Sequence, residues 1–323
     1  MPAGDVKLIR DLAELPDALR GGAVAIGNFD GVHLGHAAIV ARLVARARQL
    51  GGPAVVFTFD PHPVRILRPN EAPPPLTWTD RKAALLGQLG VDAVIAYPTD
   101  EALLQLSPEA FFARIVQERL RARGLVEGTN FFFGHRRAGT IEVLRRLCEG
   151  AGVGLEVVEP VMIDGRPVSS SRVRELLAAG RIDEACAMLT QPYRLRGMVR
   201  HGEGRGQRLG FPTANLDAID TLLPGPGVYA GRALAAGELW PAAINVGPNP
   251  TFGGQINKVE VHLIGWHGVL YGQPLEVDFI ARLRDIQRFD GPAALQAQLA
   301  QDIAAAGRCC ELQTKNSAAD RRG

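Results

Sequence analysis

Apolar and polar positions change their rhythm once along this chain, near residue 190. From 23 to about 189, short unbroken apolar runs (23–26, 54–59, 91–96, 125–128 and 154–158) alternate with stretches of helical period (37–50, 81–89, 107–123 and 140–149). Unbroken runs bounded by turns fit strands buried on both faces, and strands alternating with helices predict a parallel sheet covered on both sides. Ser107 followed by Pro108 reads as a helix start, cap first and proline next. After Gln191-Pro192 the helical period gives way to short alternating runs between Gly/Pro turns, at 194–200, 227–233, 242–246, 259–265 and 275–280. These predict a small β-barrel, closed by a helix over 292–305. The expected organisation is an α/β domain over 1–190, a barrel domain over 191–308 and a polar, disordered tail over 309–323.

Composition narrows the class. The 323 residues suffice for two cores, and 46% hydrophobic with 22% charged residues is globular usage. A net charge of +2 argues against nucleic acid as the main partner. No run approaches the roughly 18 apolar residues of a membrane helix, and the first residues lack a signal peptide's apolar core, so no membrane partner is expected. The four cysteines form no disulfide framework, which sets a reduced cytoplasm as the expectation. Assembly into a homo-oligomer stays open.

The most informative stretch joins the first run to the first helix: Gly27, Asn28, Phe29, Asp30, Gly31, Val32, His33, Leu34, Gly35, His36. Gly31 and Gly35 let backbone approach a ligand, and the helix start offers free N–H groups to an anion. His33 and His36 stand where they could donate to phosphate oxygens. Alone, His-x-Gly-His reads equally as a capped turn. As a metal half-site it lacks a Cys-x-x-Cys or His-Glu-x-x-His partner.

Other candidates fall at predicted strand ends, where open α/β sheets bind ligands. After 54–59 a proline-stiffened turn projects Asp60 and His62. After 125–128 come Asn130, three phenylalanines ending in Phe133, and Gly134, a plausible wall for a planar ring, with at least one ring expected in the core. Ser169, Ser170 and Ser171 before Arg172 read as a second anion cradle at a helix start.

In the second half, a glycine-rich loop (Gly202, Gly204, Gly206, Gly210) leads into Pro212, Thr213, Ala214 and Asn215. The Thr213 hydroxyl and Asn215 carbonyl oxygen are hard ligands that suit Mg²⁺ beside phosphates, or they bond the turn backbone. Period-two alternation at 258–264 puts Val259, Val261 and Leu263 on one face and Lys258, Glu260 and His262 on the other. Glu260 is then either a solvated acid or the base that an alcohol acceptor needs.

Gly27 to His36 resembles the signature of the HxGH nucleotidyltransferases, which implies a Rossmann-like domain. With Pro61-His62-Pro63, Asn130 to Gly134 and Ser169 to Arg174, the series resembles the adenylyltransferase half of the bacterial bifunctional riboflavin kinase/FAD synthetase (FMN adenylyltransferase) family. The chain departs from that pattern in Asn130 for aspartate, Phe132 where arginine is frequent, and Ser171 for threonine. From Gly197 through Phe289, including Phe211 to Asn215, Asn245 to Phe252 and Val259 to Leu263, it is similar to the riboflavin kinase half. The resemblance implies two Mg²⁺- and ATP-dependent steps, riboflavin to FMN in the barrel and FMN to FAD in the α/β domain. It implies that Thr213 and Asn215 hold Mg²⁺–ATP, that Glu260 activates the riboflavin 5′-hydroxyl, and that His33, His36, Ser170 and Arg172 stabilise the transferring phosphates. Two rivals stay open here: one active half only, and a flavin-binding sensor. Against the sensor, a mere binder has no use for a base such as Glu260.

Overall fold

The computed structural model describes residues 6–202, 206, 209–248 and 257–319. It divides into two compact units, Met1–Pro73 with Trp78–Ser169, and Pro74–Thr77 with Ser170–Gly323.

The first unit is a parallel sheet with helices between its strands. In chain order it contains β1 (Lys7–Ile9), β2 (Ala23–Ile26), α1 (Leu34–Leu50), β3 (Ala54–Asp60), α2 (Pro63–Leu67), α3 (Thr79–Gln88), β4 (Ala93–Pro98), α4 (Glu101–Leu104), α5 (Pro108–Phe111), β5 (Gly124–Gly128), α6 (Ile141–Ala151) and β6 (Gly154–Val158), then a hairpin, β7 (Met162–Ile163) and β8 (Arg166–Pro167). The six long-range strands lie in the order β1-β4-β3-β2-β5-β6, every pair parallel. The sheet separates two apolar layers. Val40, Leu43 and Leu86 pack on one face, and Phe111, Ile115, Leu144 and Cys148 on the other.

The predicted strands and helices of this half appear in place, joined by short elements the pattern does not show: α2, α4 and the β7–β8 hairpin. β1 is an edge strand of only three residues that the pattern did not reveal. Ser107 caps α5 through the Ala110 N–H at 3.2 Å as expected, but from Phe112 to Arg119 the helix runs on with π geometry. The division also falls after Ser169, ahead of the change of rhythm, because α7 (Ser170–Ala178) and α8 (Ile182–Cys186) pack on each other and α8 packs on the barrel.

The barrel comprises β9 (Tyr193–Arg200), β10 (Ala214–Asp217), β11 (Gly227–Ala235), β12 (Glu238–Pro248), β13 (Asn257–Leu263) and β14 (Pro274–Arg284), followed by α9 (Pro292–Ala319). It closes in the order β10-β13-β12-β11-β14-β9, antiparallel throughout. Inward positions alternate as the sequence demands: Val259, Val261, Val277 and Phe279 are fully buried. The short strand β10 was read from the sequence as loop, since proline and threonine precede only four residues of ladder.

The expected disordered tail is corrected. α9 continues through residues 309–319, and Cys310 is buried with its thiol donating to the Gly231 carbonyl at 3.0 Å. The polar composition of 309–323 concealed that one helix face still meets the barrel. Farther up, Arg284 forms a forked pair with Asp302 of α9, Nη2 to Oδ2 at 2.7 Å.

One charge is held deep in the barrel wall. Asp278 is 2% exposed and lies between Arg194, Nη2 to Oδ2 at 2.8 Å, and Arg232 at 3.6 Å. Removing one partner of such a pair strands a buried charge. Asp278→Ala is expected to lower the unfolding free energy by about 3–5 kcal/mol, read by urea unfolding through the barrel tryptophans Trp240 and Trp266. A loss below about 1 kcal/mol would show the guanidinium to be solvated instead.

Candidate active sites

The first site is built on the turn from β2 into α1. In this sheet order, β3 lies on one side of β2 and β5 on the other, so the chain departs from β2 in both directions and a crevice opens at its carboxyl end. Phe29 (φ 46°) and Val32 (φ 42°) are both left-handed, conformations that cost about 1–3 kcal/mol each and collect at functional turns. Gly35 packs close against the cap: a Cβ there would stand 3.1 Å from the His33 ring.

The two histidines cap α1 reciprocally. His33 Nδ1 accepts the His36 N–H and His36 Nδ1 accepts the His33 N–H, each at 3.3 Å, with the rings stacked at 3.6 Å between centroids. Donors at the helix start are thereby satisfied. Because each Nδ1 accepts, the neutral rings carry their proton on Nε2, as donors. Burial, then the neighbouring His33 and Lys82, push His36 well below the ordinary histidine value. Beneath the turn, Thr58 Oγ1 donates to the Asn28 carbonyl at 3.1 Å and receives the buried Lys82 ammonium at 3.4 Å. Burial pushes that lysine down, partly offset by Asp30 and Asp60.

A cavity of about 240 Å³ opens here, and it gathers Gly27, Asn28, Phe29, Gly35, His33, His36 and Asn130. Asp30 and Gly31 sit within the turn, Asp30 buried and Gly31 at φ 83°. His62 instead caps α2, its Nδ1 accepting the Val64 N–H at 3.1 Å. The three phenylalanines part company. Phe133 is in the core against Phe111, Phe131 stacks on it and reaches the cavity, and exposed Phe132 lies under Arg137. Gly134 (φ 71°) abuts Pro108. Ser169 closes the first unit, while Ser170, Ser171 and the buried Arg172 open α7 in the second. The sequence reading passed over Glu127, which lines the cavity from β5. Its one signal was an acid inside an otherwise apolar run.

The second site lies on the outer wall of the barrel. Glu260 stands in register with Asn215 on β10 and Asn245 on β12, so three polar side chains share one rung of the ladder. Lys258 Nζ approaches Glu260 Oε1 at 2.9 Å, and Asn245 Nδ2 approaches Oε2 at 3.4 Å. His262 Nδ1 donates to the Pro212 carbonyl at 2.8 Å, which ties the loop to β13. These residues, with Gly206 and Thr213, line a cavity of about 430 Å³ whose far wall is Leu295, Leu299, Asp302 and Ile303 of α9. Gly210 turns the loop at φ 86°. Gly204 and residues 249–252 lie outside the described residues. Asn215 is buried and, among the described residues, no donor meets its Oδ1.

Among the described residues, no helix is long and apolar enough to cross a membrane. A sequence-family model described as FAD synthetase matches residues 15–172, and one described as riboflavin kinase matches residues 189–310. The bifunctional riboflavin kinase/FMN adenylyltransferase of Pseudomonas fluorescens is 39% identical over 93% of this chain and 97% of its own length. The protein of that name from Escherichia coli (strain K12) is 34% identical over 92% and 96%. A crystal structure from Streptococcus pneumoniae titled macrolide-efflux protein superposes with a TM-score of 0.84 at 28% identity, covering 94% of this chain and 99% of that one. That likeness speaks for the arrangement of the chain, and efflux is said of that protein alone. With 39% identity across nearly its whole length and both family models in this order, the chain belongs to the bifunctional riboflavin kinase/FMN adenylyltransferase family.

Proposed function

We propose that this chain converts riboflavin to FMN at the barrel cavity and FMN to FAD at the sheet cavity, each step consuming ATP. The observation that carries this reading is that each unit holds its own cavity, and each gathers the polar groups its reaction needs. The substrates are small molecules: riboflavin, FMN and ATP. Two ATP-dependent steps and four cysteines all in the thiol form suit a cytoplasmic setting.

In the sheet cavity an FMN phosphate oxygen attacks the α-phosphorus of ATP, and the bond to the bridging oxygen of pyrophosphate breaks. The acceptor is already ionised near pH 7, with a second phosphate pKa of about 6, so no base is needed. What the reaction needs is donors aimed at the charge that moves onto the phosphate oxygens. The neutral Nε2–H groups of His33 and His36 serve as those donors, at a helix start that favours anions. Asn130, which lines the same cavity, is assigned to the nucleotide or the flavin.

In the barrel cavity the acceptor is an alcohol, which must lose its proton as the γ-phosphoryl group arrives. Glu260 takes that proton, oriented by Lys258 and Asn245. Gly206, Gly210 and Pro212 are assigned to the ATP phosphates. The residues present fit Mg²⁺: the orphaned Asn215 Oδ1 and the Thr213 hydroxyl are hard oxygen donors on one wall of the cavity. They would hold the ion with ATP, and bound there it would neutralise phosphate charge.

Three outcomes test the reading. Glu260→Gln is expected to abolish riboflavin phosphorylation while FMN-to-FAD conversion persists, both followed by chromatography of the products. If both steps fell together in a folded protein, the division of labour would be wrong. His36→Ala should lower FAD synthesis by about 10²–10³-fold, as for loss of one transition-state donor. Activity within threefold of wild type would overturn that role. Finally, since a lowered pKa keeps the ring neutral while an ordinary histidine protonates, His36 should show no titration step near pH 6.5 by NMR, only one well below it.

A further inference from the structure

Glu127 is a buried acid of the sheet cavity that the reaction described above leaves unused. It lies on β5, 2% exposed, and it lines the cavity together with Asn28, His33, His36 and Phe131. The β2–β5 ladder ends at the pair Val24 and Leu125. Beyond it the strands part, and Glu127 Oε1 accepts the Ile26 N–H at 2.8 Å where a ladder bond would otherwise stand. Among the described residues, that is the only hydrogen bond of its carboxyl group. A second polar atom of the same cavity is unspent: no donor among the described residues meets the buried Asn28 Oδ1.

The geometry points to Glu127 as a residue that reads the edge of a planar heterocycle, pairing its carboxyl O–H and oxygen with a ring acceptor set beside an N–H donor. This rests on the reading of the cavity as the adenylylation site. A purely structural carboxyl is poorly explained here, because a glutamine would serve the Ile26 N–H as well without the cost of burying an acid. Burial pushes the Glu127 carboxyl well above the ordinary carboxylate range, and the Ile26 N–H only partly offsets this. A neutral acid presents one donor next to one acceptor. That is the complement of two edges the substrates offer, the amino-pyrimidine edge of adenine and the imide edge of the flavin ring. Phe131 supplies an aromatic surface in the same cavity, and the histidines hold its phosphate end.

The test uses the full chain making FAD from supplied FMN and ATP. Glu127→Leu should raise the KM of one substrate by about tenfold, the worth of one neutral hydrogen bond, and leave the other within about twofold. The substrate affected, ATP or FMN, identifies the edge being read. Glu127→Gln keeps a donor beside an acceptor and should recover most of that loss. The profile against pH separates this role from a structural one. As pH rises through the raised pKa the wild type loses its donor, so kcat/KM for the paired substrate should fall on the alkaline side, a limb that Glu127→Gln lacks. The titratable groups around it are Cys148 on α6, His33 and His36 at the α1 start, and Glu159 after β6. All remain in both proteins, so the difference between profiles belongs to Glu127. Superimposable profiles, unchanged KM values in Glu127→Leu, or an equal rise in both KM values with a lowered melting temperature would each overturn the proposal. His36→Ala in the same assay keeps the two readings apart: if it left FAD synthesis intact, the cavity assignment itself would fail, whatever Glu127 does.

Discussion

A helix that starts inside a protein must satisfy its first N–H groups, and at α1 two imidazoles do so for each other. That single constraint settles much of the first unit's chemistry. It fixes which ring nitrogen carries the proton, stacks the rings, and leaves little room for a side chain at Gly35 beside His33. It also leaves both Nε2–H groups outside the cap, on residues that line a cavity at the point where the strand order reverses. Aspartate would cap as well, but an ionised carboxylate would leave no donor. The strained backbone at Phe29 and Val32 is sustained by burial of both side chains at 3% and 0% exposure.

The barrel solves a different problem. Its interior is filled, so a ligand site must lie on its outer wall. Alternation on β13 does the sorting: valines turn inward, and Lys258, Glu260 and His262 turn outward onto one surface. Cross-strand register then sets Asn215 and Asn245 on either side of Glu260. The ladder, more than any loop, positions the acid.

Much of this was legible because it is periodic. The change from helical to alternating rhythm located both architectures, and the motif from Gly27 to His36 located the first site. What escaped has physical reasons. β1 and β10 are too short for a pattern to emerge, and the neighbouring strands supply their stability. The π turn at 112–119 is a matter of hydrogen-bond spacing that apolar periodicity does not encode. Polar composition at 309–319 masked a helix in which Cys310 still meets the barrel. Glu127 was hidden by its own strand, since an apolar run invites one to read through a single acid. Which phenylalanine of three faces the cavity was beyond sequence altogether, because adjacent aromatic residues look alike until a backbone separates them.

The far wall of the barrel cavity is made by α9, clamped through Arg284–Asp302 and Cys310–Gly231. It follows every strand of the barrel in chain order, so this chamber gains its wall only after the ladder is complete. The lining of the sheet cavity, by contrast, is fully encoded by Val168. Loss of α9 would therefore fall unevenly: it strips the enclosure from one cavity while every lining residue of the other stays in the chain.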